Sequence, residues 1–146
     1  MRDPLLFEPV PTASPPSPGL RRLLETKLDT FEKLELALVL RDAPDRTGAL
    51  AELARQLQVG VDVLKRVATE LVRVDLVDLR ADDTLHLIAG ARELELIGEG
   101  AALYAQDRQE VIILLSTIAM ARIRSLAARS FADAFNLRKK KKDGDG

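Results

Sequence analysis

Apolar residues recur at helical spacing from the first third of the chain onward. Phe31, Leu34 and Leu38 lie at intervals of three and four residues, which predicts a helix that ends near Arg41. Asp29 has capping-box spacing before this stretch and is its expected N-cap. The pattern predicts that the region beyond the first 19 residues is mainly helical.

Two further short helices are predicted on either side of Gly60. Thr47 is the expected N-cap of the first, which ends at Leu57, and the second runs from about Asp62 to Val74. Their expected buried positions are 50, 53, 54 and 57, then 64, 67, 68 and 71. Gly60 can adopt the positive φ of a tight corner. Two short helices joined in this way are typical of a helix-turn-helix.

A period of two replaces the helical period after these helices. Residues 76–80 and 84–88 are β-prone, and the short segment 81–83 between them predicts a hairpin. Leu85 and Leu87 are expected on the core face of the hairpin, with His86 on the opposite face. We therefore expect a mainly α fold in which three helices plus a β-hairpin form a winged-helix domain at residues 20–90.

The chain beyond Gly90 is predicted to be helical again and to form a C-terminal dimerisation region at 91–137. An acidic helix is expected to weaken at Gly98 and Gly100, and the capping box that begins at Asp107 restarts a helix. The stretch 111–121 is apolar on nearly all sides, which in so small a domain indicates burial against a second copy. The expected dimer contacts are Val111, Leu115, Ile118, Phe131 and Phe135.

The two ends of the chain have compositions typical of disorder. Residues 1–19 hold six of the seven prolines and are predicted to form a disordered Pro-rich arm. Residues 138–146 begin Arg-Lys-Lys-Lys-Lys and are predicted to form a charged disordered tail. Such a lysine-rich tail fits either non-specific phosphate binding or a role in solubility.

The composition argues against catalysis. The chain has no Cys and a single histidine, His86, so it offers no thiol nucleophile, no thiolate zinc site and no pair of imidazoles. We expect no enzyme activity, no metal and no cofactor. No secretory signal is evident, and the apolar run at 111–121 is about half of the roughly 20 residues that a membrane span needs. A cytoplasmic protein without a membrane segment is the expectation.

Charge is distributed unevenly although the formal net charge is only -1. Residues 41–75 carry six basic and six acidic groups, residues 76–110 carry three and eight, and residues 122–142 carry eight and one. The opposite signs of the last two segments favour self-association or an intramolecular contact. The segment 41–75, which contains the predicted helix-turn-helix, carries no net charge. This balance fits an ordinary solvated surface as well as a weakly basic DNA-binding surface.

The outward face of the third helix is the strongest candidate for function. Its basic and hydroxyl side chains suit phosphate oxygens and base edges, a helix N-terminus suits a phosphate, and a basic residue near the hairpin tip can reach the DNA backbone. The candidate DNA-binding residues are Thr47, Lys65, Arg66, Thr69, Arg73 and Arg80. Asp82 and Asp83 at the hairpin tip oppose this interpretation, because they repel phosphate.

The helix that follows Thr47, Gly60, the third helix and the hairpin together resemble the winged-helix transcription regulators of bacteria. Many of these have Gly-Leu after the third helix where this chain has Asp75 and Leu76, and Asp tolerates the left-handed conformation. Tyr104 and the ending Ser-Phe-Ala-Asp-Ala-Phe at 130–135 are similar to a small group of bacterial proteins that join an N-terminal winged helix to such a tail. These resemblances cover about residues 30–140 and imply DNA binding.

Two functions of different classes remain open from the sequence. The first is a homodimeric transcriptional regulator that binds double-stranded DNA through its helix-turn-helix. The second is a non-enzymatic module in which the winged helix is a scaffold and the C-terminal helices bind a protein partner. The second hypothesis predicts no DNA binding and the loss of a partner when Phe131 or Phe135 is replaced.

Overall fold

The computed structural model describes residues 16–144, with side chains described as far as residue 136. The helices are α1 (Pro18–Thr26), α2 (Phe31–Asp42), α3 (Leu50–Leu57), α4 (Val61–Arg73), α5 (Ala91–Gln106) and α6 (Arg108–Gly144). The strands are β1 (Thr47–Ala49), β2 (Val77–Leu79) and β3 (Thr84–Leu87). This confirms the mainly α prediction. The first 15 residues of the predicted Pro-rich arm lie outside the described residues.

Helix α1 begins inside the segment predicted as an arm. The hydroxyl of Ser17 caps the helix by accepting from the backbone of Leu20, and Pro18 occupies the first helical position, where a missing N–H costs nothing. Ser17 also donates its backbone N–H and its hydroxyl to Glu99 at 2.8 and 2.6 Å. The prediction of disorder was therefore wrong for residues 17–19, because these contacts with α5 hold the helix start in place.

Two predicted helix caps lie elsewhere in the structure. Thr30, not Asp29, caps α2 by accepting from the backbone N–H of Lys33 at 3.2 Å. Thr47 does not cap α3: it lies in β1, opposite His86 of β3, and its hydroxyl donates to the carbonyl of Pro44 at 3.2 Å. Strand pairing with a distant segment replaced the local helix start that the sequence predicted at Thr47.

The turns on either side of α4 use non-glycine residues in the left-handed region. Gln58 ends α3 with a φ of 58°, whereas Gly60 has a φ of -67°. The positive φ expected at Gly60 is therefore found two residues earlier. Asp75 has a φ of 60°, as its tolerance of this conformation predicted. The Asp75 turn lets the backbone of Leu76 donate to the carbonyl of Leu71 as the chain leaves α4 for the sheet.

The three short strands form one antiparallel sheet in the order β1-β3-β2. Val77 lies opposite Leu87 and Leu79 opposite Leu85. Both Leu85 and Leu87 are buried, which agrees with the predicted alternation of the hairpin. The sequence did not predict β1, which is only three residues long. The core is aliphatic and joins the sheet to helices α1 to α5 and to the start of α6.

Helices α5 and α6 are both longer than predicted. Gly98 and Gly100 do not end α5, which continues to Gln106. A Cβ atom at Gly100 would lie 3.5 Å from Leu20 of α1, which is an ordinary van der Waals contact. Asp107 caps α6 by accepting from the backbone of Glu110 at 3.1 Å, as its spacing predicted. The helix extends to Gly144, so residues 138–144 are helical where a disordered tail was predicted.

The first turns of α6 belong to the core of this chain. Val111, Leu115 and Ile118 are 1%, 5% and 6% exposed and pack in the same cluster as α1 and α5. Their assignment as dimer contacts was therefore wrong, because the chain's own core already covers them. All residues from 119 to 136 are exposed. By length and composition alone, the helical stretch Arg108–Asn136 is also long and apolar enough to cross a membrane.

Candidate nucleic-acid interface

Helix α4 separates its apolar and polar residues onto opposite faces. Its buried residues are Leu64, Val67, Ala68 and Leu71, as predicted. The helical period therefore turns Lys65, Arg66, Thr69 and Arg73 outward, and all four are exposed. Because intervals of three and four residues separate positions 66, 69 and 73, these side chains lie on successive turns. Four of the six candidate DNA-binding residues thus form one continuous surface, called the α4 face below.

The basic side chains of the α4 face are available to a ligand. Within the described part of the chain, Lys65, Arg66 and Arg73 make no ion pair. The hydroxyl of Thr69 donates to the carbonyl of Lys65 at 2.8 Å, which leaves its lone pairs and its methyl group facing solvent. Such a surface can donate to phosphates or base edges and can offer apolar contact to a thymine methyl.

The acidic residue at the edge of the α4 face is paired within the chain. The Glu70 carboxylate lies 3.4 Å from the Lys33 ammonium of α2. Lys33 also contacts Asp29 at 2.7 Å. The equal numbers of acidic and basic groups at 41–75 therefore do not describe this surface, because Glu70 is turned toward α2 while the three basic residues point outward. Asp62, in the first turn of α4, remains exposed.

The β-hairpin carries both signs of charge. Arg80, at the end of β2, is exposed, and its guanidinium lies 3.3 Å from Nδ1 of His86. Because a guanidinium only donates, Nδ1 accepts in this contact. Asp82 and Asp83 lie exposed at the tip, where Asp82 accepts from the backbone of Thr84. The tip itself therefore repels phosphate, and Arg80 is the one predicted hairpin residue positioned to attract it.

Thr47 does not join the α4 face. It is half-buried in β1, three residues before α3 begins, and its hydroxyl is engaged with Pro44. The proposed phosphate contact through a helix N-terminus at Thr47 was therefore wrong, because no helix begins there.

An ion-pair network links α2, α4 and α6, and the sequence did not predict it. Asp29 accepts hydrogen bonds from both Lys33 and Arg122, and Arg122 also donates to the carbonyl of Glu25. Burial raises the pKa of Asp29, but the hydrogen bonds and charges of Lys33 and Arg122 outweigh burial and hold that pKa below its usual value. Only the Asp29–Lys33 spacing of four residues was visible in the sequence. Arg122 arrives from more than 90 residues away.

A second contact fixes the start of α6. The rings of Phe31 and Tyr104 stack with centroids 5.9 Å apart, and the Arg108 guanidinium lies 5.3 Å from the centre of the Phe31 ring. Tyr104 also donates a 3.4 Å hydrogen bond to Glu35. Tyr104 is therefore a packing residue between α2, α5 and α6, in agreement with the role that the sequence predicted for it.

Two open clefts lie elsewhere on the molecule. One of about 610 Å³ is bordered by α2, α3 and α5, and its carboxylates, Asp42 and Glu52, each pair with a nearby surface arginine. The other, of about 330 Å³, lies between α1 and α6 beside Arg21 and Arg122. Among the described residues, no three His, Asp or Glu side chains cluster closely enough to hold a metal ion.

Comparison of the chain with protein-family models, with curated proteins and with solved structures found no match.

Proposed function

We propose that this protein is a winged-helix DNA-binding protein that acts as a transcriptional regulator, with α4 as its recognition helix. The observation that carries the proposal is the α4 face, on which Lys65, Arg66 and Arg73 are exposed and unpaired within the described residues. The order α2-β1-α3-α4-β2-β3 supports it, because a helix-turn-helix followed by a hairpin is the arrangement of a winged helix.

The dimensions of α4 suit a DNA major groove. An α-helix with its side chains is about 10–12 Å across, and the groove is about 12 Å wide. Arg66 and Arg73 are separated by about 10 Å along the helix axis, so they reach positions about three base pairs apart. Thr69 lies between them. We assign base-edge contacts to these three residues and phosphate contacts to Lys65 and Arg80, which flank them.

Duplex binding tests this assignment directly. We expect full-length protein to bind pooled, fluorescently labelled genomic DNA fragments at low salt, with an affinity that falls steeply as salt rises. Arg66→Ala and Arg73→Ala should each weaken binding to a selected site by about 1–3 kcal/mol, roughly 5- to 150-fold in Kd. Arg66→Lys should restore the non-specific part of binding but not the selectivity, because it keeps the charge and loses the planar fork.

Arg92→Ala is the matched control. Arg92 is an exposed arginine on α5, paired with Glu95, and its replacement removes the same charge at a position away from the α4 face. Binding should change by less than about twofold for this variant, since an exposed ion pair contributes little. Absence of low-salt DNA binding by the wild-type protein contradicts the proposal. An equal loss for Arg92→Ala and Arg66→Ala reduces it to general charge attraction.

The exposed acidic tip favours a second candidate function. Asp82 and Asp83 suit a basic protein surface better than a phosphate backbone. In this alternative the domain is a scaffold, the protein binds no DNA at low salt, and a protein partner is lost on substitution of Phe131 or Phe135. The two functions are separated by the duplex-binding measurement, because only the first depends on Arg66 and Arg73.

A further inference from the structure

Helix α6 carries a second apolar surface that the core does not cover. Ile113, Met120, Ile123, Phe131 and Phe135 are between 50% and 74% exposed. By the helical period they lie on the side opposite Val111, Leu115 and Ile118, and this set of five residues is called the outer face. Phenylalanine side chains exposed to this extent are unfavourable in water, and so large an apolar patch is typical of an interaction site.

The outer face has the spacing of a helix–helix contact. Positions 113, 120, 127 and 134 follow one another at intervals of seven residues, and Ile123 lies three residues after Met120. Ala127 and Ala134 are small and allow a second helix to approach closely. From Ile113 to Phe135 the face is about 33 Å long, which is enough for several turns of contact.

We propose that a second copy of this chain covers the outer face, with the two α6 helices packed side by side in antiparallel directions. The charge of the chain favours a second copy over another occupant. Residues 122–142 carry eight basic and one acidic group, whereas the start of α6 carries the exposed carboxylate of Glu110 next to Asp107. The start of α6 in one copy therefore offers negative charge to the basic end of α6 in the other.

The same charges favour an antiparallel over a parallel arrangement of the two α6 helices. Parallel helices would bring the two basic ends together, which is unfavourable. In antiparallel helices the basic end of each copy runs beside Asp107 and the exposed Glu110 at the start of the other. The arrangement does not depend on the proposed DNA binding.

A register centred on Arg124 pairs large residues with smaller ones. It places Ile113 of one copy beside Phe135 of the other, and Thr117 beside Phe131. Arg124 meets its own counterpart at the crossing point, where its long side chain can extend into solvent. The previously expected dimer contacts of the last turns, Phe131 and Phe135, are retained. Ile113, Met120 and Ile123 take the place of the three buried residues.

Analytical ultracentrifugation of the full-length chain tests whether a second copy covers the outer face. We expect a dimer for the wild type, and at least roughly 100-fold weaker self-association for Ile123→Glu and Phe131→Glu, because each places an unpaired charge in an apolar contact. Ser125→Glu is the matched control: it adds the same charge to an exposed position off the outer face and should change dimerisation by less than about threefold. Unchanged α-helical circular dichroism for all three variants shows that the domain remains folded.

Cysteine cross-linking tests the direction, and the natural chain has no cysteine to interfere. Arg124→Cys should form a disulfide-linked dimer by itself on mild oxidation. Ile113→Cys and Phe135→Cys should cross-link when the two proteins are mixed by unfolding and refolding, and neither should do so alone. Self-linking of both Ile113→Cys and Phe135→Cys overturns the antiparallel arrangement.

Two further outcomes overturn the whole proposal. One is a wild-type protein that stays monomeric at tens of micromolar, a concentration at which even a weak dimer would form. The other is binding of the monomer to phosphatidylcholine vesicles through the outer face, abolished by Ile123→Glu, which would identify lipid as the occupant. All of these measurements are made without DNA, so their failure is distinct from failure of the proposed function.

Discussion

Helices α4 and α6 treat their apolar residues differently. All four aliphatic side chains of the inner stripe of α4 are buried, from Leu64 near its start to Leu71 near its end. In α6 the inner stripe is buried only as far as Ile118, and apolar residues then continue on the outside. Similar side chains are therefore core in one helix and surface in the other. Burial depends on which elements lie beside a helix, and the apolar pattern alone does not reveal them.

The neighbours of each helix explain the contrast. Helix α4 packs against α2, α3 and β2 along its length. Helix α6 meets the domain only at its start, and Arg122, which binds Asp29 and the carbonyl of Glu25, makes its last described contact with the domain. The remaining turns project beyond the core.

The largest expected effect comes from a comparison of side-chain truncations in the two helices. Leu71→Ala should lower the free energy of unfolding by about 2–5 kcal/mol, because it opens a cavity in a fully buried position. Ile123→Ala should change it by less than about 0.5 kcal/mol in the monomer, since this side chain is exposed. Urea unfolding at protein concentrations below the dimer dissociation constant measures both. Equal losses would show that the end of α6 packs on its own domain.

An intermediate effect is expected where the two helices are linked. Asp29→Asn should destabilise the protein by about 1–2 kcal/mol near neutral pH, because Lys33 and Arg122 lose their shared carboxylate. The folded-state pKa of Asp29 lies below its usual value of 3.8, so the carboxylate stabilises the fold above that pH. Its contribution fades as the pH falls through the lowered pKa, and the two proteins should then converge in stability.

Asp42→Asn is the control for this comparison. It removes the same charge from a side chain that is 73% exposed and that, among the described residues, forms an ion pair with the adjacent Arg41 alone. Its unfolding free energy should stay within about 0.5 kcal/mol of the wild type at every pH. A pH dependence equal to that of Asp29→Asn would mean that general charge, and not the network, stabilises α6 against the domain.

The smallest effect concerns the edge of the α4 face. Glu70→Gln should leave stability nearly unchanged, because its contact with Lys33 is half exposed, and under the proposed function it should strengthen DNA binding by about two- to fivefold by removing a negative charge from the edge of the α4 face. Glu95→Gln on α5 changes the same charge away from that face and should have a smaller effect. Titration of labelled duplex at low salt compares the two. If both variants strengthened DNA binding equally, the position of the removed charge would not matter for DNA affinity.

Local patterns predicted helix α4 and the β2–β3 hairpin well. The buried positions of α4 and the inward leucines of β3 follow from periods that a few neighbouring residues define. The left-handed residue after α4 was also foreseen, because Asp75 is chemically suited to it. The outward orientation of Arg66 and Arg73 follows from the same period, so most of the candidate site was visible in the sequence.

Features that depend on distant partners were not predictable in this way. Strand β1 forms because Thr47 and its two neighbours pair with β3, some 40 residues later, and no local signal marks them. Asp29 and Thr30 are both good helix caps, and the position of Arg122 explains why the Asp29 side chain is engaged elsewhere. An apolar residue such as Leu115 suits a dimer contact as well as the core of one chain. Only the packing of α6 on α5 shows that it belongs to the core.

The unbroken length of α6 fixes a distance within the proposed dimer. The helix has 37 residues with no proline, and its only glycine is its last residue, so it sets distance as well as contact. In the proposed antiparallel pair, the two Ile118 residues, the last buried position of each α6, are about 18 Å apart along the common axis. Seven residues inserted between Ile118 and Ile123 would lengthen that separation by about 10 Å if Ile113 of one copy still meets Phe135 of the other. The spacing of the two α4 faces would then follow from the length of α6, independently of the residues on those faces.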